Sequence, residues 1–98
     1  MVKYTVKPTG SFRKDLKLAK KRGLPLSDLY TVIGMLENDE PLPANLCNHL
    51  LLGDYKGSWE CHINPDWLLL YEKETEIRII SLYRTGTHSD IFGKGKKR

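Results

Sequence analysis

The sequence predicts an α+β domain in the order β-α-α-β-β-β, a small, mainly antiparallel sheet with a helical hairpin packed on one face. Three observations carry this expectation. Residues 2–7, Val-Lys-Tyr-Thr-Val-Lys, alternate with period two and are rich in β-branched and aromatic side chains. Two stretches between Phe12 and Leu36 place apolar residues at helical spacing. After Gly57, three strand-like runs follow one another across the turn signals Asn64-Pro65-Asp66 and Lys73-Glu74-Thr75.

Pro8 and Gly10 end the first strand, and Thr9 or Ser11 can cap a helix from about Phe12 to Arg22 that Gly23 stops. Phe12, Leu16 and Ala19 share one face of that helix, while Arg13, Lys14, Lys17, Lys20 and Lys21 share an arc of roughly 120° on another. Leu24-Pro25-Leu26 leads into a second helix, with Ser27 as its expected cap and Asp28 near its positive end. Leu29, Val32, Ile33 and Leu36 form its core stripe. Asn38 to about Lys56 then reads as a long irregular stretch, uncommon in a small domain unless it serves function. Trp59, Cys61 and Ile63 alternate with Ser58, Glu60 and His62 along the next strand. Trp67–Tyr71 is an apolar run suited to a central strand, and Ile77–Arg84 is the last strand. Thr87–Phe92 forms a final helical turn. The expected organisation is a single domain over residues 1–93 and a flexible basic tail over 94–98.

Composition narrows the function classes. The chain has 98 residues, 40% of them hydrophobic and 29% charged, enough for one modest core and too mixed for disorder. Its longest apolar run, Trp67–Tyr71, is far short of the roughly 20 residues that span a bilayer. The first residues lack an apolar signal-like region, and Cys47 and Cys61 are too few for a disulfide framework. These features point to a cytoplasmic protein. The net charge of +4 is unevenly spread: residues 3–22 hold eight Lys/Arg against Asp15, residues 23–83 hold ten acids against three Lys/Arg, and the stretch from Arg84 is basic again. Such concentration suits nucleic acid or the ribosome, although an acidic protein would satisfy the same arithmetic.

All three histidines, His49, His62 and His88, fall in the second half, near strand ends or in loops. Hairpin geometry can bring His62, Asp66, Arg84 and His88 to one edge of a sheet, and the long loop can deliver His49 to them. Imidazole, with an ordinary pKa of about 6.5, serves as acid or base near neutrality, and an arginine can hold a phosphate and its developing charge. The set suits metal-free RNA cleavage, in which the RNA's own 2′-hydroxyl attacks the adjacent phosphate. Zinc is a weaker reading: Cys47, His49, Cys61 and His62 offer suitable atoms without the usual ligand spacing. Structural histidines and a solvated helix face are the bland alternatives. Core packing is the default for Trp67, while Phe92 is better placed to stack an RNA base.

The run His62-Ile-Asn-Pro-Asp66-Trp67-Leu-Leu-Leu-Tyr71, with Arg84-Thr-Gly-Thr-His88-Ser-Asp-Ile-Phe92, resembles the YafQ branch of the RelE/ParE toxin superfamily. Phe12-Arg-Lys-Asp-Leu-Lys, Asn48-His49-Leu-Leu and Leu52-Gly-Asp-Tyr-Lys-Gly57 fit the same layout. The resemblance covers residues 2–93 and implies a RelE-like fold and the toxin of a type II toxin–antitoxin pair, a ribosome-dependent endoribonuclease that cuts mRNA in the A site. It implies His49, His62, Asp66 and His88 as an acid–base set and Arg84 on the scissile phosphate. Trp67 and Phe92 would place the RNA, and Arg13, Lys14, Lys17, Lys20 and Lys21 would grip ribosomal RNA. Asp66 as base with His88 as acid is the first assignment considered, and the roles stay open. No metal or cofactor is expected. The expected partners are a cognate antitoxin, the ribosome and mRNA, with no membrane and a monomeric free toxin. A ParE-like toxin acting on DNA gyrase without catalysis is the main rival, though it does not need three histidines. A plain nucleic-acid-binding module is the second.

Overall fold

The computed structural model describes residues 3–51 and 57–92. The basic tail over 94–98 and most of the Leu52–Gly57 run that carries part of the family resemblance lie outside the described residues. The elements are β1 (Thr5–Pro8), α1 (Gly10–Lys21), α2 (Leu26–Glu37), a 3₁₀ turn (Ala44–Leu46), β2 (His49–Leu50), β3 (Trp59–Asn64), β4 (Trp67–Glu74), β5 (Ile79–Gly86) and α3 (His88–Phe92). The sheet order is β1-β5-β4-β3-β2. Among the described residues the β1–β5 pair alone is parallel and the other pairs are antiparallel.

Local chemistry explains most of the boundaries. Thr9 caps α1, its hydroxyl accepting the Phe12 N–H at 3.2 Å. The helix closes on Gly23 at φ 75°. There the Gly23 N–H bonds to the Lys20 carbonyl and the Leu24 N–H to the Ala19 carbonyl, both at 3.1 Å. The same double closure ends α2 on Asp39 at φ 56°, with Asp39 N–H to Leu36 and Glu40 N–H to Met35. Ser27 is not the cap of α2: Pro25 holds that position without a side-chain bond, and Ser27 lies in the first turn. Residues 75–78 form a turn with Arg78 at φ 58°, so β5 begins at Ile79 and Ile77 is left exposed. The irregular stretch contains an edge strand, β2, that its composition does not announce.

The helices and one face of the sheet enclose the main core, which includes Phe12, Ala19, Leu29, Val32, Leu36, Cys61, Leu69, Tyr71, Ile80 and Leu82. On the other face, Leu68 and Leu70 pack with Ile91 and Phe92 of α3. β1 stops at Pro8, which leaves the end of β5 without a strand neighbour on that side. α1 covers it: Thr9 donates its hydroxyl to the Tyr83 carbonyl at 3.3 Å, and Asp15 accepts the Thr85 N–H at 3.1 Å.

Candidate functional site

Strand parity places the candidate residues. Opposed residues on paired strands share a face. His62 stands opposite Leu68, Glu60 opposite Leu70, and His49 opposite Glu60, so all three side chains belong to the face away from α1 and α2. Asn64–Asp66 turns the chain there, and α3 begins with His88 on the same side. His62 and His88 meet edge to face with ring centroids 5.7 Å apart, His49 lies 6.4 Å from His62, and Phe92 lies 6.4 Å from His88.

Two carboxylates organise these rings. Asp66 Oδ1 lies 3.0 Å from His88 Nδ1 and also accepts the His88 backbone N–H at 3.4 Å. These bonds hold the Asp66 carboxyl below the ordinary carboxylate range, chiefly through the His88 ring. An ionised carboxylate only accepts, so Nδ1 of His88 carries the proton in this pair. Glu60 was not among the residues expected at the site. Its carboxylate is only 6% exposed and lies 3.0 Å from His49 Nε2 and 3.5 Å from His62 Nε2. The other nitrogen of His49 faces the Cys47 carbonyl at 2.7 Å. A carbonyl and a carboxylate both accept, so both His49 contacts are hydrogen bonds only when both ring nitrogens donate. The signal for Glu60 was its place between two histidines in the polar register of β3.

The structure therefore brings His49, His62, Asp66 and His88 together and adds Glu60. Arg84 is handled differently. The β4–β5 register shifts between Leu70 and Tyr71, so Tyr83 is an extra residue and Arg84 falls opposite Leu70, on the histidine face. Its guanidinium grips Asp15 with Nε at 2.6 Å and Nη2 at 3.2 Å, and Nη2 also reaches the Asp90 carbonyl at 3.5 Å. Asp15, the sole acid of the basic N-terminal segment, is its partner.

Trp67 corrects the expectation of a direct RNA contact: it is 2% exposed and packs in the core on the helix side, because it points opposite to Leu68. Phe92 is also buried, at 5%, but on the histidine face. Arg13, Lys14, Lys17, Lys20 and Lys21 are all exposed along α1. The Cys-His zinc reading fails on parity. Cys61 points into the helix-side core, where burial pushes its thiol up to about 12, while His62 points away. A different trio has metal-ligating geometry: one ligand atom each from Glu60, His62 and His88, all within 4.8 Å of one another. Among the described residues no helix is long and apolar enough to cross a membrane.

Comparison with known proteins fits this geometry. A family model described as "Bacterial toxin of type II toxin-antitoxin system, YafQ" matches residues 4–93. The chain belongs to that family. It is 38% identical over 94 residues to the mRNA interferase toxin YafQ of Escherichia coli K12, an alignment covering 95% of this chain and 100% of that protein. The fold matches the toxin in the E. coli DinJ-YafQ toxin–antitoxin complex with TM-score 0.85 and 36% identity, over 93% of this chain and 99% of that one. It also matches a metal-bound toxin from Helicobacter pylori with TM-score 0.85 and 38% identity, over 91% of this chain and 99% of that one. The toxin thus shares the RelE-like α+β architecture of these structures.

Proposed function

We propose that this toxin is an endoribonuclease that cuts mRNA on the ribosome by acid–base catalysis, and that its histidine face performs the chemistry. The observation that carries the reading is the 5.7 Å approach of His62 and His88, with Asp66 hydrogen-bonded to the His88 ring and the Glu60 carboxylate 3.5 Å from His62 Nε2. Cleavage of this kind needs no protein nucleophile. The 2′-oxygen bonds to phosphorus as a base removes its proton, the P–O5′ bond breaks, and an acid gives a proton to the departing O5′. The products are a 2′,3′-cyclic phosphate and a 5′-hydroxyl. Two imidazoles at this separation serve two oxygens of one phosphodiester, one taking and one giving a proton.

Asp66 suits a different role from that of base. Two hydrogen bonds from His88 stabilise its charged form, which lowers its basicity; it fixes the His88 tautomer and presents Nε2 to the substrate. His49 and Glu60 extend the proton-bearing surface. Arg84 is assigned to the phosphate through its place on the same sheet face, held by Asp15. Phe92, buried beside His88, backs that imidazole and supports its placement against the RNA. The exposed cations of α1 meet ribosomal RNA phosphates, an interaction weakened by salt. The complex of the E. coli relative with DinJ supports a cognate antitoxin as the second partner, and action on the ribosome is consistent with a cytoplasmic protein.

The test is brief induction of the wild type and His88→Ala in bacterial cells, with mapping of mRNA 5′ ends. Growth arrest with new in-frame ends in the wild type, and neither in the variant, is the expected result. Equal arrest by both proteins with intact mRNA would overturn the reading and turn attention to DNA topology.

A further inference from the structure

His88 stands at the first position of α3, a helix of five residues that is too short to be stable by itself. Something else must orient it. Asp90 does so at short range: its Oδ2 accepts the Thr87 N–H at 3.0 Å while the Thr87 hydroxyl accepts the Asp90 N–H at 3.1 Å, a reciprocal box around the start of the helix. The same carboxylate is held from far away in sequence. Arg22, just past the end of α1, grips it with Nη1 at 2.6 Å and Nη2 at 3.3 Å. Gly86 lets this carboxylate sit against the backbone, since a Cβ there would fall 3.0 Å from both Asp90 Cβ and Oδ2. Arg84 reinforces the arrangement, donating to the Asp90 carbonyl and to the Asp15 carboxylate.

We propose that Asp90, pinned by Arg22, is a positioning residue for His88: α1 braces the helix that presents the catalytic imidazole, and Arg22 serves the site rather than a polyanion. The proposal rests on His88 being catalytic. Asp90 touches none of the three imidazoles in the contacts described; it acts by fixing where α3 starts, and thereby the angle at which His88 meets Asp66 and His62. Arg22 belongs to the same basic segment as the exposed cations of α1, yet its guanidinium is committed to Asp90.

The two roles for Arg22 separate kinetically. The assay is cleavage of mRNA programmed on purified ribosomes by the full chain and by Arg22→Ala, Arg22→Lys and Asp90→Asn. Lys73→Ala, which breaks a comparably short ion pair to Asp39, is the control. The expected result is a fall in kcat of roughly tenfold for Arg22→Ala and Asp90→Asn with KM within about twofold, and Arg22→Lys restoring most of the loss. A raised KM with unchanged kcat for Arg22→Ala would make Arg22 a phosphate contact and overturn the proposal. Amide hydrogen exchange gives an arm independent of activity. Residues 88–92 should exchange several-fold faster in Arg22→Ala and Asp90→Asn and be unchanged in Lys73→Ala. Unchanged exchange in all variants sinks the brace even if activity falls. A wild type that leaves programmed mRNA intact defeats the ribonuclease reading alone, and the exchange arm then decides whether Arg22 and Asp90 hold α3.

Discussion

The two faces of the sheet are built from the same strands and put to opposite uses. Along β3, Cys61 and Ile63 point to the helices and are buried, while Glu60 and His62 point away. On the helix side, α1 and α2 complete the burial of Leu69, Tyr71, Ile80 and Leu82. On the other side, α3 covers only Leu68 and Leu70 and leaves the neighbouring imidazoles reachable. The contrast shows how a chain this short carries both a core and a site: the alternation of strand side chains divides the labour, and partial cover on one face supplies access without opening the core.

That division can be broken from either side. Leu69 is fully buried against the helices, so Leu69→Ala should cost about 2–5 kcal/mol in urea unfolding, the largest effect expected from these changes. Activity per folded molecule should change little. If Leu69→Ala left stability intact while removing activity, the assignment of the helix side to stability alone would be wrong.

Glu60→Gln probes the other face. The amide keeps the size of the side chain but removes the charge facing His49 and His62, so cleavage should fall roughly 10–100-fold. Unfolding midpoints should stay equal or rise, because a buried carboxylate is costly to desolvate. A large loss of stability would show Glu60 to be a structural tie. Copper(II) or zinc(II) gives a milder test of the same cluster. Either ion held by Glu60, His62 and His88 would occupy nitrogens that proton transfer requires, so cleavage should be inhibited and restored by a chelator. His62→Ala should weaken binding of the ion in calorimetry. Undiminished affinity would place the ion elsewhere.

Sequence pattern reached the later strands and both helix faces, and narrowed the α1 cap to Thr9 or Ser11, because each is decided within a few residues. It also reached the gathering of His62, Asp66 and His88, since short hairpins leave few ways to arrange the strand ends. The α2 cap, expected at Ser27 and found at Pro25, was a local miss; the larger misses were long-range. β2 forms by pairing His49 and Leu50 with Glu60 and Trp59 across the sheet. The extra residue at Tyr83 turns Arg84 to the histidine face, and nothing local marks that register shift. Asp15 was visible as the lone acid in a basic segment, but its partner lies 69 residues away. Trp67 divided the two kinds of reading: its place in an apolar strand pointed to the core, where it lies, while the family resemblance implied a part in placing RNA, and one step along a strand from Leu68 puts its side chain through to the helix side.

Acid supplies the smallest and most specific test, comparing α3 with the core it leans on. Asp90 is held down to about 2 from an ordinary 3.8, first by the hydrogen bond from Arg22 and further by Thr87, against the opposing effect of burial. A carboxyl whose pKa is lowered by folding contributes stability that is complete above the unfolded value and lost as pH falls through the folded one. The contribution of Asp90 should therefore be whole above about pH 4 and disappear between about 4 and 2. The gap in urea midpoint between the wild type and Asp90→Asn should be present and flat from pH 7 to 5, then close across that window. Salt should narrow the gap at neutral pH, because Arg22 is largely exposed. Leu69→Ala carries no such titration, so its deficit should persist unchanged through the same window. Parallel behaviour of the two variants would mean that Asp90 contributes packing rather than charge, and the brace between α1 and α3 would lose its electrostatic arm.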